Sequence, residues 1–478
     1  MTNYVLRMAE LCRQRNDTVR SSYVYGDMDL DNFAMLQARK VMHNRRLTPL
    51  RDSADLINAA ADRAEFLLGR DIIPGLKKSL EEKVICTADH HGSLYCAQFL
   101  QGDFLFALVM EKLGITDSPL PVLGAGQVEL ENSTYSRGIC AYSSADKKEF
   151  IPVFPAKYSV QLASHADPIS REMIDRLRKR FGDIRAIDEI AAEIYEDEAV
   201  FSAQSFSDQT TLIAKKLMER LISPGGPSFV YLEMEKVIEP ILLEELSDDS
   251  SLLYRLIYDK RLREIAAATP MADGLTILDL MFRSVDEKGR KIMLSLSGDM
   301  LVGSDWRKEK VTYKTDKEKL TRLIKQRTVL PGVFTETLLL FFERGISWMG
   351  GMFQASYLSA WQKNLADLLE KAGCEKESEL IRAYDCTGYI CGPMMALHKV
   401  TDHATPMGPV EIWPGPIDFD IIRKLAKGTS LWDAHMIGLS EMYFDLTSRD
   451  EREDDWYRKI AKELFLAYPG NMVTYGRE

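Results

Sequence analysis

One stretch limits the fold of this chain more than any other. A short apolar run at residues 84–88, VICTA, opens directly into Asp89-His90-His91-Gly92, and a long apolar-periodic segment follows. Strand, tight loop and helix read this way, and in open α/β sheets such junctions carry ligand sites. The rhythm continues downstream. A helix is predicted over 93–113, then strands at 121–123 and 150–154, the first closed by Gly124-Ala125-Gly126 and the second by Pro155. Strands separated by helix-length segments predict parallel pairing through βαβ crossovers.

The regions on either side read differently. Residues 1–80 form a helical N-terminal extension, with Leu36, Val41, Leu56, Ile57, Ala60 and Ala64 at helical spacing. The α/β core with the candidate site spans 81–222, including a helical block from 169 whose last helix, 209–221, Ser207-Asp208 can cap. It ends at the breaker Ser223-Pro224-Gly225-Gly226-Pro227. Residues 228–478 form a mixed, mainly helical C-terminal region. Within it lie a strand at 229–234, a hairpin near 275–296 and a helix–glycine–helix passage over 344–358. The expected fold class is α/β: a central, largely parallel sheet, a helical N-terminal extension and a helix-rich C-terminal region containing a β-hairpin.

Composition narrows the partners. The 478 residues carry 61 basic against 72 acidic side chains, a formal charge of −11. That balance gives no footprint for nucleic acid or anionic membrane. No run approaches the ~20 apolar residues of a bilayer span. Arg7 and Glu10 interrupt the N-terminus where a secretory signal needs an apolar core. The seven cysteines are scattered without a framework, so reduced thiols and a cytoplasmic location are expected. The expected partner is a small-molecule substrate, with neither nucleic acid nor membrane; the oligomeric state stays open.

The candidate site is built from three loops. Adjacent side chains of an extended segment point in opposite directions, so one of His90 and His91 works in the site while the other supports it. Gly92 supplies a turn, and helix-start amides near 93–95 favour phosphate or carboxylate. The working histidine, His91 or His90, acts as acid/base or metal ligand and Asp89 orients it. The second loop, 126–138, offers Glu129, Asn132 and Arg137. The guanidinium fork of Arg137 either anchors an anionic substrate group or pairs with Glu129 or Glu131. The third offers Lys157, His165 and Asp167, the last also a candidate helix cap. These loops meet if the three strands are parallel. His398, Asp402, His403 and His435 form a weaker set, because a spacing of five does not share a helix face. A divalent metal suits the composition, with His90, His91, His165 and His403 as candidate ligands.

Asp89-His90-His91 after an apolar strand resembles the signature of the DHH phosphoesterases. The resemblance implies two-metal phosphoester hydrolysis by aspartates and histidines from several motifs. It covers one tripeptide: the upstream acids Asp27, Asp29 and Asp31 have neither a neighbouring histidine nor an apolar strand before them. Paired histidines between strand and helix also resemble acyltransferases of the condensation-domain type, whose second histidine is the general base. Their Asp-Gly is replaced here by Leu94-Tyr95-Cys96. Neither resemblance extends far enough to assign a family. The expectation is a cytoplasmic enzyme, hydrolase or transferase, acting on a small carboxylate- or phosphate-bearing metabolite. The alternatives are a DHH-like metal-dependent phosphoesterase and a non-catalytic small-molecule-binding or scaffold protein.

Overall fold

The run at 84–88 is apolar without alternation because both faces of its strand are covered. In the computed structural model, which describes residues 2–92, 94–132, 137–271 and 274–473, it forms the middle of a five-stranded sheet. The strands are β1 (Val84–Cys86), β2 (Leu120–Gly124), β3 (Phe229–Glu233), β4 (Ser347–Gly351) and β5 (Tyr389–Cys391). Their order is β5-β4-β1-β2-β3, and all neighbours are parallel. This is a doubly wound order. Its switch point lies between β1 and β4, where a crevice opens outside the carboxyl ends of the strands.

Period-two alternation divides the strand residues between two apolar cores. Val84, Cys86, Val122, Tyr231 and Met349 belong to the core that also contains helices Ala97–Lys112 and Leu30–Arg45. Ile85, Leu123, Val230, Leu232 and Trp348 belong to the other, with helices Ala54–Leu68 and Met234–Glu245. The N-terminal helices therefore cover both faces of the sheet. Helix Ala97–Lys112 is buried almost throughout, which explains its unbroken apolarity. Its buried Gln101 is satisfied at both ends, donating to the carbonyls of Ala396 and Met407 and accepting from the amides of Met395 and Ala396.

Several local expectations are corrected. The helix expected from residue 93 begins at Ala97, so the amides near 94–95 are not its first turn; Ser93 lies outside the described residues. The strand expected at 150–154 is Glu149–Pro152, which pairs antiparallel with Gly138–Ala141 outside the main sheet. Only two of the three expected loops thus leave parallel strands. Ser205, not Ser207 or Asp208, caps helix Phe206–Leu221. The passage at 344–358 holds a strand, β4, which feeds directly into helix Met352–Lys371. The sheet also draws strands from both sides of the breaker at 223–227.

The expected hairpin is present as Phe282–Val285 with Lys291–Ser297, and it belongs to a five-stranded antiparallel sheet. That sheet is inserted between β3 and β4 and ends at Val329–Pro331. Among the described residues no helix is long and apolar enough to cross a membrane.

Candidate functional site

The two histidines after β1 diverge, as alternation requires. His90 forms a bridge with Ala125 and packs edge-on against Phe99, with ring centroids 5.5 Å apart. His91 points to the start of helix Phe206–Leu221, its Nε2 2.8 Å from the Ser207 carbonyl. A carbonyl only accepts, so His91 carries its proton on Nε2, and Nδ1 is left as the acceptor. Burial pushes both imidazoles down to about 4, so both are neutral at physiological pH. Gly92 has φ +125°, and a side chain there would press on Phe206 and Ala163.

Asp89 orients no part of His91. Its carboxyl turns to Asp103 and Cys86, with Cys86 Sγ 3.9 Å from Asp89 and 3.6 Å from Asp103. Tyr231 on β3 donates its hydroxyl to Asp103. Burial raises Asp89 to about 7 and Asp103 well above the carboxylate range, so the pair shares a proton. Among the described residues Cys86, Asp89 and Asp103 are the one group placed to hold a metal ion, their ligand atoms lying within 4.8 Å of one another. None of the expected histidine ligands belongs to it.

Glu233, which ends β3, was not anticipated and organises the edge. It accepts from the Ser207 hydroxyl and pairs with Arg327, and Lys236 Nζ lies 3.7 Å away. Burial alone would raise its pKa, but Arg327 and Lys236 pull it down to about 2. Arg63 and Lys236 both pair with Asp208. His165 joins through the backbone of Arg327, donating Nε2–H to its carbonyl at 3.0 Å while Ser164 Oγ lies 2.9 Å from Nδ1. His91 and His165 therefore reach one network, bridged by Ser207, Glu233 and Arg327.

The network runs on across the sheet. Glu235 accepts the amides of Gly126 and Gln127 after β2, and Gln127 Nε2 donates to Glu336 at 2.7 Å. A Cβ on Gly126 would press on the Glu233 and Ser164 side chains at 3.0 Å, so a larger residue would have to push one of them aside. Tyr357 lies near both Glu336 and Gln354, and Gln354 Oε1 accepts from Thr87 Oγ1 at 2.8 Å, at the switch point. Burial raises Glu235 to about 7 and Glu336 well above the carboxylate range. A protonated Glu336 and a Glu235 that titrates near neutrality thus lie beside one ionised glutamate.

The other expected residues stand apart. Arg137 is held by Glu131 at 2.7 Å and by the Phe154 carbonyl at 3.0 Å, which is the ion-pair alternative. Asn132 reaches the Glu129 carbonyl at 3.4 Å, and residues 133–136 of that loop lie outside the described residues. Lys157 is exposed over Tyr158, and Asp167 is exposed while Ser170 caps the following helix. His403 sits on the hairpin Leu397–Val400/His403–Pro406, bonded to Asp402. The signal that finds Glu233 is the one that found Asp89, an acid closing a buried apolar run; Arg327 leaves none.

The chain matches no protein-family profile, and a search of curated proteins finds no relative.

Proposed function

We propose that this chain is a cytoplasmic enzyme that binds a small anionic metabolite at the carboxyl edge of its parallel sheet and hydrolyses it or transfers a group from it. The observation that carries this reading is the line of buried polar groups, from Thr87 at the switch point to Ser207 and His91, with proton-bearing Glu336 and Glu235 within it. A carboxyl that keeps its proton near neutrality is suited to general acid catalysis. Arg327, Lys236 and Arg63 lie among Glu233, Asp208 and Glu239, and these three cations are the groups at the edge that could meet an anionic substrate. His91 is a positioning group in this reading, because its proton is committed to a backbone carbonyl.

The test is turnover of p-nitrophenyl phosphate, p-nitrophenyl acetate and an acyl thioester by purified protein and by Glu336→Gln. Turnover of one class is expected, falling at least ~100-fold in the variant while the fold is kept. No turnover of any class, or an unchanged rate in Glu336→Gln, removes the proposal.

A second reading, metal-dependent phosphoester hydrolysis, draws on Cys86, Asp89 and Asp103. A metal there would have to displace the proton that the two aspartates share. Stoichiometric metal in the purified protein, lost together with activity in Asp103→Asn, would favour it. Metal-free active protein excludes it.

A further inference from the structure

A cleft of about 640 Å³ lies away from the catalytic edge, between the N-terminal helices, helix Met352–Lys371 and the start of β5. That volume is within the range of small-molecule sites. Its floor carries an amide whose orientation is fixed by its one bond. Gln37 Oε1 accepts from the Tyr389 backbone at 3.3 Å, so Nε2 is the other end. Gln37 is fully buried and lines the cleft, and among the described residues its Nε2 has no hydrogen-bond acceptor. A buried amide donor left this way is destabilising, and a ligand acceptor would relieve it.

The cleft wall carries Arg39 and Lys40 as well as Asp17 and Asp385. Arg39 and Lys40 are adjacent on helix Leu30–Arg45, and Lys40 Nζ reaches only the Thr387 carbonyl, at 3.0 Å. Arg39 is exposed and pairs with no carboxylate among the described residues. Of the nearby acids, Asp17 pairs with Arg20, while Asp385 accepts from Thr387 and also faces Lys40. Phe33, Leu36 and Tyr389 provide an apolar side, with the Phe33 and Tyr389 rings edge-on at 5.2 Å.

We infer that this cleft binds a small organic phosphate. The phosphate would be held by Arg39 and Lys40, an acceptor on the ligand would be met by Gln37 Nε2, and its apolar body would lie against Phe33, Leu36 and Tyr389. Two neighbouring cations, of which Arg39 pairs with no carboxylate among the described residues, can donate to a phosphate from two side chains. Binding here is read without turnover, so it stands or falls separately from the proposed catalysis.

The test is calorimetric titration of the full chain with phenyl phosphate, benzoate and inorganic phosphate. Saturable binding of phenyl phosphate is expected, weakened at least ~10-fold in Arg39→Met and in Lys40→Met, since each removes one charge-assisted contact worth about 1.4 kcal/mol or more. Gln37→Glu keeps the acceptor for Tyr389 but replaces the donor with a carboxylate, and should abolish binding. Arg39 is exposed, so its variant keeps the fold, and melting curves check the other two. The inference is overturned if the wild-type chain does not bind phenyl phosphate saturably or binds benzoate equally well. Unchanged affinity in both cation variants, which would place the ligand elsewhere, overturns it too.

Discussion

Glu233 is a charge that burial opposes and its neighbours retain. Its ionised form persists only because Arg327 and Lys236 stand beside it. Removing one partner of a buried pair leaves an uncompensated charge, so Arg327→Met should cost about 3–5 kcal/mol in urea unfolding. Much of that should return in the double variant with Glu233→Gln; equal losses in the single and the double variant would show that the pair is not the cause. His91→Ala should cost roughly 1–3 kcal/mol, because it strips the Ser207 carbonyl of its donor. The histidines were legible because they are consecutive letters after a strand. What each touches was not, since Ser207 and Arg327 come close only through folding.

Strand β4 shows why an element at the centre of the sheet escaped the sequence. Ser347-Trp348-Met349-Gly350-Gly351 lacks the β-branched residues that mark β1 and β3. Its glycines are there for the switch point. A Cβ on Gly350 would land on the Gln354 side-chain amide, next to Thr87 Oγ1. Gly332, beside the end of the antiparallel sheet, meets backbone instead, at the Leu280 carbonyl. A side-chain amide can swing away but a carbonyl in a packed turn cannot. Gly350→Ala should therefore cost only about 1 kcal/mol, the Thr87–Gln354 bond, while lowering turnover. Gly332→Ala should cost roughly 1–3 kcal/mol in denaturant unfolding, more than Gly350→Ala. Unchanged turnover in Gly350→Ala would contradict the assignment of the switch point as the functional edge. Strands β1, β2 and β3 were legible because each is an apolar run bounded by turn residues. The pairing of β4 beside β1 was not, since the connection from β3 carries an entire second sheet.

Across the whole molecule, burial has shifted acids and histidines in opposite directions, and the two sets act over overlapping ranges of pH. Asp89, Glu235, Glu411 and Asp445 are raised by burial to about 7, and Glu343 to about 8. A raised acid contributes stability that is full below its unfolded value, near 4, and is lost as pH climbs through the folded value. His90, His91 and His435 are lowered by burial to about 4. Their contribution is present above the unfolded value, near 6.5, and is lost as pH falls through the folded one. Between about pH 4 and 6.5 the two sets oppose each other; above about 6.5 only the acids still titrate. The melting temperature should therefore fall from pH 6.5 to 8.5, and the loss should be smaller in Asp445→Asn, which removes one buried acid without changing its shape. A melting temperature that is flat or rising over that interval would mean that the buried carboxyls are ionised at neutrality. Glu336 and Glu235 would then hold no proton to donate, and the general-acid role proposed for the carboxyl edge would fail with them.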